Sequence, residues 1–179
     1  SAFSFDGVGN NIEISETINL DGFQAFTASL WINPAMEMNS NTGRQDIVYK
    51  GLSGSYTLNY DSQDGALVAT VNGAQTSISF LSDFHANQWF HTILVYDGSS
   101  ILKMNIDGDL VGVPDGLGPG TNLDTNEPLF LGSTAEPQYF FNGKLDDFRI
   151  YNRALTGDEI KILYHEDDWP CSAPRPQLT

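Results

Sequence analysis

Phe141-Asn142-Gly143-Lys144-Leu145-Asp146-Asp147-Phe148-Arg149-Ile150-Tyr151-Asn152-Arg153-Ala154-Leu155 places a turn dipeptide, an alternating strand, an acidic pair and the approach to a helix in one run. Thr156-Gly157-Asp158-Glu159 follows it with a capping-box pattern, and Ile160, Leu163 and Tyr164 continue at helical spacing. At the other end of the chain, Phe3-Ser4-Phe5-Asp6-Gly7-Val8-Gly9-Asn10-Asn11-Ile12 is a short strand leading into an oxygen-rich loop. The two segments read as the last and first strands of one β-sandwich, with their acidic loops side by side.

The chain between them is built for hairpins. Asp6-Gly7, Asp21-Gly22, Asp64-Gly65, Asn72-Gly73, Asp97-Gly98, Asp107-Gly108, Asp115-Gly116 and Asn142-Gly143 are turn dipeptides that tolerate positive φ. Phe26, Ala28, Leu30 and Ile32 alternate with Thr27, Ser29 and Trp31. Trp89, His91, Ile93 and Val95 alternate with Phe90, Thr92, Leu94 and Tyr96, apolar on both faces as a central sandwich strand should be. Leu102, Met104 and Ile106 form a strand with one wet face, and Asp107-Gly108 closes it into a hairpin with Leu110 and Val111. Met36 to Arg44 and Pro114 to Asn126 read as loops. The fold class is all-β: a two-sheet antiparallel sandwich with one short C-terminal helix.

Composition limits the function. The chain has 179 residues, 40% of them apolar and 12% aromatic, enough for a single domain with a real core. Eight basic against 23 acidic side chains give a net charge of −15, a surface that repels phosphate backbones and anionic lipids. Nucleic acid and membrane insertion are therefore excluded as expected partners, and divalent cations are favoured. No run approaches the ~20 apolar residues of a membrane span. Without an initiator Met or a signal peptide, the segment reads as a domain excised from a longer precursor. Its single cysteine, Cys171, admits no internal disulfide and lies in a Pro-rich tail.

Several landmarks in order carry a family resemblance. They are Phe26-Thr27-Ala28-Ser29-Leu30-Trp31-Ile32-Asn33-Pro34, Ile47-Val48-Tyr49-Lys50-Gly51, Trp89 to Gly98, Ile106-Asp107-Gly108 and Leu129-Phe130-Leu131-Gly132, besides the two terminal segments. Together they resemble the laminin G-like, concanavalin A-like jelly roll over residues 1–165, with 166–179 as linker. The resemblance implies a secreted or cell-surface multidomain protein and, most often, glycan binding.

Three kinds of site follow as expectations. Ca²⁺ wants six to eight oxygens, and Asp6, Asn10, Asp146 and Asp147 can supply some of them. The resemblance implies a structural calcium joining the first-strand loop to the C-terminal acidic pair. A sugar platform needs an exposed aromatic face with hydroxyl-reading neighbours. Tyr49, Tyr60 and Tyr139, with Arg44 beside them, are the candidates, and Tyr56 flanks the same turn. Phe26, Trp31, Trp89 and Phe148 are expected in the core. Catalysis finds no support: the Glu-x-Asp-x-x-Glu run of β-glucanases and the Gln-Ile-His motif of alginate lyases are missing. His85, His91 and His165 stand far apart, and no nucleophile elbow or phosphate loop occurs. The expected function is a non-catalytic, calcium-stabilised recognition module for a polysaccharide or other glycan. An adhesion or spacer domain that binds extracellular protein is the alternative, and an accessory domain of a glycan-degrading enzyme a more distant one.

Overall fold

The computed structural model describes residues 2–15, 23–37, 43–51, 56–61, 65–71, 74–78, 85–99, 101–112, 127–136 and 138–166. The turns at 21–22, 72–73 and 115–116, the whole loop at 114–126 and Cys171 with its tail lie outside them. Twelve strands and one helix follow in order: β1 (Phe3–Asp6), β2 (Ile12–Ile14), β3 (Phe26–Pro34), β4 (Gln45–Lys50), β5 (Tyr56–Asp61), β6 (Ala66–Val71), β7 (Ala74–Ile78), β8 (Phe90–Tyr96), β9 (Leu102–Ile106), β10 (Asp109–Gly112), β11 (Leu129–Leu131), β12 (Asn142–Tyr151) and α1 (Gly157–Tyr164). They make two six-stranded antiparallel sheets, ordered β1-β12-β3-β8-β9-β10 and β2-β11-β4-β5-β6-β7. The first and last strands pair as expected, with Phe3 opposite Leu145 and Asp6 opposite Asn142.

The period-two pattern of β3 and β8 decides what is buried between the sheets. Phe26, Leu30 and Ile32, beside Leu94 and Tyr96 of the neighbouring β8, face Tyr56 and Leu58 of the other sheet in one continuous core. The Phe26 and Tyr56 rings, 4.7 Å apart, join the two sheets directly. The opposite face of β8 is covered by the helix: Ile93 and Val95 pack on Leu155, Ile160 and Leu163. Thr27, fully buried, ties this second layer down. Its hydroxyl donates to the Arg153 carbonyl at 2.9 Å and accepts from the Leu155 amide at 3.0 Å. The capping box forms as read: the Thr156 hydroxyl accepts from the Glu159 amide while the Glu159 carboxylate accepts from the Thr156 amide.

The Asp107-Gly108 hairpin forms with positive φ at both residues (51° and 85°), as a two-residue primed turn requires. Asn142-Gly143 is different. It is not a turn but the first two residues of β12, hydrogen-bonded between β1 and β3. There the missing side chain serves a close approach instead, because a Cβ on Gly143 would stand 2.4 Å from the Asn33 carbonyl oxygen.

Candidate functional site

Along β12 the register decides what meets what. Asp146 lies opposite Trp31 and Arg149 opposite Ser29, so Asp147 and Phe148 together face the single residue Leu30. This is a β-bulge, which adds a residue to one strand and re-aims the side chains around it. Asp147 takes a left-handed conformation (φ 52°), and Phe148 turns in against the core. Asp146 and Arg149 share the outer face with Trp31.

That face carries a cavity of about 500 Å³ lined by Trp31, Trp89, Asp146, Asp147 and Arg149. Its size falls in the ~300–1,000 Å³ range of small-ligand sites. Trp89 is 40% exposed. Trp31 is half-buried and held from below by a stack, with its ring 4.9 Å from His91 and 5.9 Å from Tyr164 of α1. Both tryptophans, expected in the core, are therefore walls of a surface site. The alternation of β3 already separated Trp31 from Leu30 and Ile32, and Trp89 shares a phase with His91 and not with Phe90. Aromatic size outweighed that phase in the sequence reading. Arg149 lies in the terminal motif that carries the family resemblance, but nothing in that motif marks it as a wall of a cavity.

The polar groups of the cavity are organised among themselves. The Arg149 guanidinium bonds both Asp147 oxygens, at 2.9 and 2.6 Å, and donates to Glu166 behind it. Partial burial works against its charge, but hydrogen bonds to Glu166, Tyr151 and Asp147 hold its pKa above the ordinary range. One oxygen of Asp146, Oδ1, accepts the Asp147 amide at 2.9 Å. Its other oxygen has no hydrogen-bond partner among the described residues.

His91 supports this floor. It is buried, its Nε2 lies 2.9 Å from the Ser29 hydroxyl, and its Nδ1 has no partner among the described residues. A neutral ring that donates from Nε2 leaves only a lone pair unmet, which is the less costly arrangement. Burial pushes its pKa down to about 4, with Asp147 and Glu166 opposing and Arg149 assisting. The unfolded chain takes up this proton near pH 6.5, so the folded state binds fewer protons between the two values and loses stability as pH falls. The loss is on the order of 3 kcal/mol by pH 4. Urea unfolding at pH 7 and pH 4.5 should show a smaller drop for His91→Gln than for the wild type. Equal drops would mean that another group carries the effect.

The four expected calcium ligands do not come together. Asp6 stands at one end of the β1–β12 ladder and Asp146 just beyond the other, four residues or roughly 13 Å apart at ~3.3 Å per residue. The Asp6 carboxylate is occupied by its own loop. Oδ1 accepts from the Val8, Gly9 and Asn10 amides at 2.9, 3.0 and 3.3 Å, and the Gly9 and Val8 bonds lower its pKa most. The Asn10 amide, oriented nitrogen-first, donates to both Asp6 oxygens. Asp147 is engaged by Arg149. Asp6 and Asn10 thus close a turn, while Asp146 and Asp147 belong to the tryptophan cavity, and these residues do not fit one ion shared by the chain ends. Asp6→Ala should lower the melting temperature by the same amount in calcium and in EDTA. A calcium-dependent rise abolished by both Asp6→Ala and Asp146→Ala would restore the shared ion.

The expected sugar platform divides as well. Tyr49, Tyr56 and Tyr60 are buried, at 4%, 1% and 3% exposure. Tyr56 and Tyr60 point inward in phase with Leu58, so no ring of β5 can stack on a sugar. Tyr139 is exposed, and the Arg44 guanidinium lies over its ring, 5.1 Å from the centroid. Arg44 also holds the fully buried Asp46 carboxylate at 2.9 Å. Burial raises the Asp46 pKa while Arg44 opposes the rise. Arg44 and Tyr139 do form one surface pair, but one face of the ring is already taken by the cation.

Comparison with known proteins agrees with this architecture. Over 176 residues the chain is 26% identical to the Paraclostridial mosquitocidal protein 1 of Paraclostridium bifermentans, covering 86% of this chain and 13% of that protein. The SAP-like pentraxin of Limulus polyphemus superposes with a TM-score of 0.74 at 19% identity, covering 97% of this chain and 83% of the other. Domain 4 of AbnA, an extracellular arabinanase from Geobacillus stearothermophilus solved with arabinotriose, gives 0.67 at 17% identity, covering 91% and 76%. The chain spans about an eighth (13%) of the length of the curated relatives it matches. A laminin G-like family model matches residues 6–161, and this two-sheet jelly roll therefore belongs to the concanavalin A-like lectin/glucanases superfamily.

Proposed function

We propose that this domain is a non-catalytic carbohydrate-recognition module, part of a secreted or cell-surface protein, and that its glycan site is the Trp31–Trp89 cavity. The observation that carries the reading is a pair of indoles, Trp31 on β3 and Trp89 just before β8, beside a carboxylate with a spare oxygen. Indole faces take up the apolar C–H face of a sugar, and Asp146 and Arg149 read its hydroxyls. Arg149 already serves two carboxylates and the chain carries −15 overall, so neutral glycans fit and sulfated or uronate-rich ones do not. The arabinotriose held by the Geobacillus domain supports a glycan ligand on this fold. The reading requires no ion shared between the chain ends.

A glycan array probed with the wild type and with Trp89→Ala tests it. Neutral oligosaccharides should bind the wild type alone. Hits confined to anionic glycans, or hits that survive Trp89→Ala, would displace the site from this cavity.

A further inference from the structure

Asp146 and Asp147 line a second cavity as well, of about 360 Å³, whose other walls include Phe3, Ile12, Ile14, Leu145 and Phe148. It opens where the sandwich has a seam. β1 and β2 are the outermost strands of different sheets and do not pair with each other. β1 begins at Phe3 opposite Leu145, while β12 runs on to Tyr151. Phe3, 61% exposed at this end, stands at the cavity rim. At the β12 bulge the two spaces share Asp146 and Asp147, with the tryptophans beyond them on one side and Phe148, packed against the core, on the other.

We propose that the two cavities form one composite site for an amphipathic glycoside, with the sugar between the indoles and an alkyl or aryl aglycone in the seam. The inference rests on the glycan reading above. A purely apolar ligand would cover the second oxygen of Asp146 and leave it unsatisfied, and a fatty-acid anion would be repelled by the two carboxylates. A glycoside instead presents hydroxyls at the carboxylates and its chain at Phe3, Ile12 and Phe148, so one molecule satisfies both chemistries.

Paired methyl and hexyl β-glycosides of glucose, galactose and N-acetylglucosamine, titrated against the intact chain, read out the second half of the site. Each fully buried methylene gives roughly a fourfold gain, so the hexyl glycoside should bind at least tenfold more tightly than its methyl partner, even with only part of the chain buried. Phe3→Ser alters an exposed rim residue and should erase that gain while leaving methyl glycoside affinity unchanged. Trp89→Ala should weaken both probes alike. Equal affinity of methyl and hexyl partners, or a gain that survives Phe3→Ser, overturns the composite site and leaves the sugar site standing. Methyl glycoside binding insensitive to Trp89→Ala, or no binding by any probe, overturns the sugar site and the composite with it.

Discussion

Trp89→Ala is expected to abolish most of the glycan affinity and to leave the melting temperature almost where it was. The residue is 40% exposed and stands outside both buried clusters, so little of the fold depends on it. A sugar face that covers about 80 Å² of indole gains about 2 kcal/mol at 25 cal/mol per Å², close to a thirtyfold change in Kd. Trp31→Ala should lose comparable affinity and also stability, because its ring rests on His91 and Tyr164. The contrast between the two is diagnostic. If both lost stability equally, Trp89 would be a packing residue, and the cavity would have no claim to a ligand.

Gly132→Ala should give the largest loss of stability. Gly132 adopts φ +85°, and a Cβ there would lie 2.4 Å from the Phe5 ring. Its backbone cannot move aside. Its amide donates to the Ile47 carbonyl at 3.0 Å and its carbonyl accepts from the Phe141 amide at 2.9 Å. Phe5 is itself buried, with its ring 6.0 Å from that of Phe141. The left-handed conformation costs about 1–2 kcal/mol for an alanine, and displacing Phe5 adds about 1–3 more. Together these lower the melting temperature by roughly 6–15 °C for a domain of this size. Gly9→Ala, with open space around it, is the control and should change stability by no more than about 0.5 kcal/mol. A Gly132→Ala protein as stable as Gly9→Ala would mean that Phe5 does not pack beneath β11.

Much of this architecture was legible before any coordinates. The Thr156-Glu159 capping box and the Asp107-Gly108 hairpin rest on local chemistry, which a sequence displays directly, whereas the pairing of the two chain ends follows from the family resemblance their residues carry. Asn142-Gly143 misled because the dipeptide signals only permissive backbone. Whether that permissiveness is used for a turn or for a close approach depends on which strand lies alongside. The calcium expectation failed on register. Asp6 and Asp146 do belong to adjacent strands, but pairing Asp6 with Asn142 sets the two carboxylates at opposite ends of the ladder. Tyr49 and Tyr60 flank a polar turn, but strand phase and the facing sheet, not the neighbouring turn, determine their exposure. The tryptophan cavity was visible only in part, since the alternation of β3 set Trp31 apart from Leu30 and Ile32, while the run around Trp89, apolar on both faces, marked no outward side. What the sequence could not display was the bulge at Asp147-Phe148, an extra residue defined only by the partner strand, which brings Asp146 and Arg149 onto the same face.

The indole N–H resonances test the central claim most directly. The chain has three tryptophans, Trp31, Trp89 and Trp169, and the last lies outside the described sandwich. In a ¹H–¹⁵N titration with a neutral oligosaccharide selected on the array, the Trp31 and Trp89 indole signals should shift together and saturate with one Kd, while the Trp169 signal stays in place. A saturating titration that moves neither Trp31 nor Trp89 would show that the glycan binds elsewhere and that this cavity is not the recognition site.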